Sequence, residues 1–263
     1  MITPKKTALI VGAGIAGSSL AYHLAKRNYQ VTLLDENSQN EIEIFQNKAA
    51  TISPHFMLNN PKYNSLMSKA SKYVYDLTKE FNYSKKDAVM KGVVKLYEKD
   101  IADKLIEKIS KSGFSEKDFK YLSKESIKRK YHIDNKTGIF FKYGGWVSPH
   151  QVCSSLIDHK NIRLIPKKKV KEIIYKKNLW VIDCQDSTEF ISSNLVFCNS
   201  FALRGIKFFD GIDLKKNRGQ INWFPSKNKS KFKEIISGNG YLIPDVDGFD
   251  IFGSTYERDN ENK

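Results

Sequence analysis

An α/β fold, with a parallel sheet and a second part built on antiparallel strands, is what three features of this sequence predict. The first is Thr7-Ala-Leu-Ile-Val11, an apolar run suited to a strand buried on both faces. It leads into Gly12-x-Gly14-x-x-Gly17, and Ile15, Leu20, Leu24 and Ala25 then recur at helical spacing to about Arg27. The second is Gln30–Leu34, another strand, ending on Asp35-Glu36, with Asn161–Ile165 and Leu195–Cys198 as strands that return to the same sheet. The third is Gly219–Phe224, Gly240–Ile243 and Asp250–Thr255, short strands between turn residues that suit an antiparallel sheet. Together these predict a Rossmann-like FAD/NAD(P)-binding domain with a discontinuous, antiparallel-sheet substrate domain.

Between these anchors, 37–60 lacks a clean period and reads as a loop that lies against something. Leu66, Ala70, Tyr73 and Leu77 mark a helix over Pro61–Phe81; Lys91–Tyr97 is a strand, and Ile101–Ser112 a helix stopped by Gly113. Lysine-rich, helix-poor sequence follows to Ile127 and Tyr131. Gly138–Phe141 is a strand entering a turn at Gly144-Gly145-Trp146. Pro149 suits the first turn of a helix containing Val152, Leu156 and Ile157, with Ser148 as cap. Val170–Lys176 and Leu179–Cys184 form a hairpin around Lys177-Asn178. The expected division is 1–60 with 145–205 for the nucleotide part, and 61–144 with 206–263 for the substrate part.

At 263 residues and 40% hydrophobic content the chain has material for a real core, which excludes wholesale disorder. Its formal charge of +15 invites a nucleic-acid partner. Only six of the basic residues are Arg, however, the usual residue for bidentate phosphate and base contacts. A solvated basic surface is the alternative. Cys153, Cys184 and Cys198 are too few and too scattered for a disulfide framework or zinc site, and His55 and His132 belong to no metal pattern. No membrane span or signal peptide is expected, and a reducing cytoplasm is the expected compartment.

The glycines carry the most chemistry. Gly12 permits a tight turn, Gly14 lets backbone approach a pyrophosphate, and Gly17 lets the helix pack close to the strand. The helix start then offers unpaired N–H groups to the phosphates. Asp35, 23 residues after Gly12, can accept both hydroxyls of an adenosine ribose and disfavours a 2′-phosphate. A purely structural turn and a solvated strand-end carboxylate are the competing readings. The motif alone does not separate FAD from NAD.

Residues 9–27 and 31–35 resemble the D-amino-acid/glycine-oxidase superfamily of FAD enzymes. Within it the similarity is greatest to the FAD-dependent domain of the bifunctional bacterial enzymes that modify the tRNA wobble uridine. Gly144-Gly-Trp-Val-Ser-Pro149, Cys153, Arg218-Gly-Gln220, Gly240-Tyr-Leu-Ile-Pro244 and Phe252-Gly-Ser-Thr-Tyr-Glu-Arg-Asp259 carry that resemblance. It implies FAD as cofactor, tRNA as partner, and oxidation of 5-carboxymethylaminomethyl-uridine to 5-aminomethyl-uridine, with methylation left to a separate methyltransferase protein or domain. Gly12, Ala13, Gly14, Ile15, Ala16 and Gly17 would surround the pyrophosphate, with Asp35 and Glu36 at the ribose. Lys48, Ala49, Ala50 and Thr51 would approach the flavin ring, and Val170 would touch adenine or ribose through its backbone. Gly145, Trp146, Arg218, Gln220, Tyr241 and Tyr256 would face the substrate. Core packing for Trp146, a surface ion pair for Arg218 and cross-strand packing for the tyrosines are the alternatives. No catalytic side chain is required, because the flavin takes the hydride. Lys167–Lys169, Lys215, Lys216, Lys227, Lys229, Lys231 and Lys233 would meet tRNA phosphates.

Two departures from the family pattern stand out. The superfamily's chains continue beyond the Phe252–Asp259 segment, so a shortened chain with a weakened flavin site is one expectation. At Cys198-Asn199-Ser200 the family has a small residue and glycine. Oxidation of a free amino or imino acid, and an inactive relative that binds RNA or protein, are the competing functions.

Overall fold

The computed structural model describes residues 6–38, 47–226 and 233–258. Of the lysines expected to meet tRNA, Lys227, Lys229 and Lys231 lie outside them. The chain divides into two units: Met1–Lys48, Pro149–Lys216 and Arg258–Glu261 form the first, and Ala49–Ser148, Asn217–Glu257 and Asn262–Lys263 the second. The division differs from the expected boundaries at 49–60 and 145–148, which join the second unit, and at 206–216 and Arg258–Glu261, which join the first.

In chain order the chain opens with β1 (Thr7–Val11), α1 (Ile15–Ala25) and β2 (Gln30–Leu34), followed by β3 (Ala50–Ile52) and α2 (Pro61–Glu80). Next come β4 (Ala88–Val89), β5 (Val93–Tyr97), α3 (Lys99–Ser110), β6 (Phe119–Leu122), α4 (Lys124–Tyr131) and β7 (Thr137–Phe141). β8 (Gly145–Val147), α5 (Pro149–Ile157), β9 (Ile162–Ile165), β10 (Val170–Lys176), β11 (Leu179–Cys184), β12 (Glu189–Ser192) and β13 (Leu195–Phe197) follow. The chain then forms β14 (Asn217–Arg218), β15 (Asn222–Pro225), β16 (Ile235–Ser237), β17 (Tyr241–Val246) and β18 (Phe249–Gly253).

In the first unit a parallel sheet runs β13-β1-β2-β9. Both faces are covered, which is why β1 is an unbroken apolar run, while polar Gln30, Thr32 and Arg163 fall in β2 and the edge strand β9. Ile10, Val31 and Leu33 pack with Ala21 and Ala25 of α1. Leu9, Val11 and Leu34 pack on the other side with Ile173, Ile182 and Ile206. The β10–β11 hairpin turns at Lys177 and Asn178, with φ of 50° and 62°. Two consecutive left-handed residues give the turn whose twist matches the flanking strands.

The second unit holds a seven-stranded sheet ordered β15-β18-β17-β16-β5-β7-β6, antiparallel except for the β16–β5 pair. Trp223 pairs with Ile251 and Ile251 with Ile243, while Ile235 pairs with Val93, Val93 with Phe141 and Phe141 with Phe119. Paired residues share a face, so these side chains form an apolar rank with Ala102, Leu105 and Ile109 of α3 in its cluster. On the opposite face Ile127 and Tyr131 of α4 pack against Val94 and Ile236.

Several segments differ from expectation. The lysine-rich stretch contains β6 and α4, because Ile127 and Tyr131 stand four apart on one face, Ser123 caps the first turn by accepting from Ser126 N–H, and His132 ends it at φ 58°. The loop over 37–60 and the turn at 144–146 each supply a strand: β3 and β8 pair antiparallel, with β4 on the other side of β8. β4, β12 and β16, of two to four residues each, are further strands that sequence pattern does not mark.

Candidate functional site

The three glycines of the loop have three different physical reasons. Gly12 sits at φ 102°, and a Cβ there would lie 2.6 Å from the Cys198 backbone. Gly17 packs so closely under the loop that a Cβ would stand 1.8 Å from the Gly12 carbonyl oxygen. Gly14 has nothing within 4 Å of a built Cβ and begins α1 with no side-chain cap and no acidic residue in the first turn. The N–H groups of that turn have no intrahelical acceptors, and α1 presents the positive end of its dipole there. Ile15 and Ala16 are exposed at this end, whereas Ala13 is buried. Ser18 hydroxyl donates to the Ala13 carbonyl at 2.9 Å and holds the loop in place.

Asp35 is buried at the end of β2, and no basic side chain meets its carboxylate among the described residues. Ala13 N–H donates to Oδ2 at 2.7 Å, and Asn37 donates to Oδ1 from its backbone at 2.9 Å. The carboxylate therefore ties the glycine loop to the turn after β2. Glu36, beside it, is exposed and lies 3.9 Å from the Lys169 ammonium. The Lys168 N–H donates to the Asp35 carbonyl at 2.8 Å, which brings the start of β10 alongside. Val170 places its side chain in the core and pairs with Cys184.

Asn199 and Ser200 give the strand-end departure a physical form. Ser200 adopts φ 50°, a left-handed conformation in which glycine carries no Cβ penalty. The Asn199 backbone passes under Gly12, and its buried Oδ1 has no hydrogen-bond donor. A buried acceptor without a partner costs roughly 1–3 kcal/mol, so this is a place where a ligand hydroxyl or N–H would be stabilising. Cys153, close enough to Ser18 for a thiol hydrogen bond, is pushed up to about 11 by burial and behaves as a small hydrophobe.

In the second unit, β3 and β8 set Ala50 opposite Val147, Thr51 opposite Trp146 and Ile52 opposite Gly145. The segment expected at the flavin ring and the Gly-Trp segment expected at the substrate are thus neighbours; Lys48 precedes them in the first unit, and Ala49 is fully buried. Trp146 is 3% exposed within the main cluster, so core packing accounts for its side chain. Gly145 is required by the approach of β4, where a Cβ would lie 2.2 Å from the Val89 carbonyl oxygen. Arg218 is engaged: its guanidinium lies 3.5 Å from Glu257 Oε1 and donates to Gln220 Oε1 at 3.2 Å. The Gln220 N–H donates to Thr255 Oγ1. Tyr241 lays its ring over Gly253, while Tyr256 is 66% exposed. Lys168 is ion-paired with Asp186, and Lys216 stands over the Phe201 ring.

Sequence pattern missed one pair here. Lys95, central in β5, extends its ammonium to the Pro54 carbonyl at 3.2 Å and to His55 Nδ1 at 3.3 Å. Burial pushes the Lys95 amine below its ordinary value; burial and the Lys95 charge do the same to His55. Lys95 falls between Val93 and Tyr97 on the side of the strand that meets the main cluster, but Val94 and Leu96 make the other side apolar too, so alternation carries no signal for it. No cluster of three metal-ligating side chains occurs among the described residues, and none of their helices is long and apolar enough to cross a membrane.

Comparison with known proteins bears on both units. The chain is 27% identical over 273 residues to the tRNA 5-methylaminomethyl-2-thiouridine biosynthesis bifunctional protein MnmC of Leptospira interrogans serogroup Icterohaemorrhagiae serovar copenhageni (strain Fiocruz L1-130), covering 96% of this chain and 40% of that one. It is 28% identical to the protein of the same name from Legionella pneumophila (strain Lens), with 96% and 38% covered. The chain thus spans about two fifths of the length of these curated relatives. Among solved structures it resembles glycine oxidase from Geobacillus kaustophilus, with a TM-score of 0.77, 16% identity, and 98% and 74% of the two chains covered. It also resembles L-proline dehydrogenase from P. horikoshii, with a TM-score of 0.79, 16% identity, and 98% and 72% covered. These structures share the Rossmann-like α/β fold with its discontinuous antiparallel sheet. The family described as FAD dependent oxidoreductase matches residues 7–263, from the first residue of β1 through both units. With the glycine loop, the uncapped α1 and the interrupted parallel sheet in place, this chain belongs to the FAD dependent oxidoreductase family.

Proposed function

We propose that the chain serves an FAD-dependent oxidoreductase that oxidises the C–N bond of an amino or imino acid. The observation that carries this reading is the open α1 start beside the unpartnered Asn199 Oδ1, in a chain of this family. FAD fits those residues: first-turn N–H groups would meet the pyrophosphate, and Gly14 leaves it room. Glu36, more open than Asp35, would accept from the ribose. When bound, FAD accepts hydride from the carbon beside an unprotonated nitrogen, and water hydrolyses the resulting substrate imine. The chain's own residues bind and orient: Asp35 fixes the loop, Ser18 braces it, and the paired β3 and β8 segments hold Ala50 and Thr51 in a set conformation.

A free amino or imino acid as substrate is supported by the fold shared with glycine oxidase and L-proline dehydrogenase. A second reading, 5-carboxymethylaminomethyl-uridine in tRNA, is favoured by the names of the curated relatives and by the +15 charge. A methyltransferase partner belongs to that reading alone. Both substrates carry nitrogen bonded to a CH2–carboxylate or equivalent carbon, so one flavin chemistry serves both. The test is anaerobic: purified protein reconstituted with FAD is mixed with glycine, proline or undermodified tRNA, and flavin bleaching is followed. Bleaching by a small amine supports the first reading, and bleaching by tRNA alone supports the second. A protein that takes up no FAD defeats both.

A further inference from the structure

The seven-stranded sheet carries one polar rank next to its apolar one. Tyr241 pairs with both Gly253 and Ser237, Ser237 with Lys95, Lys95 with Ile139, and Ile139 with Tyr121. Partners across strands share a face, so Tyr121, Lys95, Ser237 and Tyr241 project to the same side. Lys95 and Tyr241 are two strands apart, roughly 10 Å at the usual spacing.

Lys95 is the anomaly in this rank. Its amine is partly buried, and no carboxylate lies within ion-pair distance among the described residues. Two acceptors, the Pro54 carbonyl and His55 Nδ1, leave one of its three N–H donors over. An ammonium can only donate, so His55 Nδ1 accepts and its ring proton sits on Nε2, a second spare donor. The His55 ring is exposed and rests edge-on against Tyr63, so the couple opens to solvent on one side. A cation desolvated without a counter-ion is costly, and an anion seated beside it removes that cost.

We propose that Lys95 and His55 form the receptor for the substrate's carboxylate. This deepens the amine-oxidation reading and rests on it. The carboxylate accepts from the Lys95 ammonium and the His55 Nε2–H, and it supplies the negative charge that the couple lacks. Glycine and the carboxymethylamino group of the modified uridine share a carboxylate attached to the carbon that loses hydride. A fixed carboxylate would therefore set the position of that carbon, as catalysis by orientation requires.

The experiment titrates the full chain with glycolate, a carboxylate without an oxidisable amine, by calorimetry or by chemical-shift change at His55. Saturable binding is expected in the wild type. Lys95→Arg should stay within a few-fold, and Lys95→Met should bind about tenfold or more weakly, as loss of a charge-assisted hydrogen bond dictates. Circular dichroism checks that each variant folds. Should Lys95→Met not fold, His55→Ala, at an exposed position, must show a several-fold loss. Unchanged affinity in a folded variant, no glycolate binding by the wild type, or equal displacement by inorganic phosphate would each overturn the proposal. FAD uptake, read from the flavin spectrum, reports separately. A yellow protein blind to glycolate defeats the receptor and leaves the flavin reading, whereas a colourless protein that binds glycolate through Lys95 does the reverse.

Discussion

The nucleotide end of the first unit and the sheet face of the second are built on different principles. The glycine loop is fixed by backbone: a turn at φ 102°, a helix pressed to 1.8 Å of a would-be Cβ, and N–H groups left without acceptors. The sheet face is fixed by side chains brought into register across six strands drawn from two stretches far apart in sequence. Backbone constraints act over a few residues and leave a fixed motif behind. Register constraints act over a hundred or more and leave only alternation. The first end should therefore respond to single methyl groups and the second to lost volume or charge.

The largest effect is expected at Gly17. Gly17→Ala places a carbon against the Gly12 carbonyl, a backbone group that cannot yield as a flexible side chain would, with Cys198 Cβ behind it. Loss of cooperative unfolding in urea is the expected outcome. Gly14→Ala, two turns of logic away in the same motif, should cost no more than about 1 kcal/mol, because its φ of −66° suits any residue and its Cβ meets open space. Its effect should appear in FAD affinity instead. Equal stability losses at both positions would show that the loop is not held as described. In the second unit Phe141, fully buried and stacked on Phe56, should cost about 3–5 kcal/mol when truncated to Ala, read as a shift of the urea midpoint.

How much was legible follows the same divide. Gly12, Gly14 and Gly17 each announced a local constraint, and the Lys177-Asn178 hairpin was readable because two left-handed residues must fall between two strands. Ile127 and Tyr131 of α4 were hidden by lysines that belong on the solvent side of an eight-residue helix. β16 is too short for a period, and only its neighbours β5 and β17 make Ile235–Ser237 a strand. Trp146 and Arg218 were visible as unusual residues, but their partners were not: one is held in the core and the other meets Glu257. Lys95 looked like one more of many lysines, because β5 is apolar on both faces and its alternation does not say which side Lys95 takes.

Charge in the second unit gives a smaller, pH-dependent effect. Asp118 is buried, which pushes its carboxyl up, but Ser115 N–H at 2.8 Å, the Tyr143 hydroxyl at 2.9 Å, the Ser115 hydroxyl and Lys72 more than offset that and bring it to about 2. The folded value lies below the ordinary 3.8, so its stabilisation is complete above that value and is lost as pH falls toward about 2. The contribution is at most about 2 kcal/mol. Asp118→Asn should flatten the stability profile in that window and leave its slope unchanged near neutrality, as urea unfolding at stepped pH would reveal.

The smallest effect separates a buried hydrogen-bonded charge from an exposed pair on the same sheet domain. Lys130 meets Glu234 at 2.6 Å, with the lysine side chain 51% exposed. Water already solvates much of the ammonium, and ordering two long side chains offsets most of the attraction. Lys130→Met, which keeps the stem on the Tyr131 ring, should change stability by less than about 1 kcal/mol, and added salt should erase part of even that. A loss comparable to that of Asp118→Asn would mean that the α4 face relies on its ion pair and not on Ile127 and Tyr131. Side-chain volume would then no longer distinguish the second unit from charge, and the contrast with the glycine loop would need a third category.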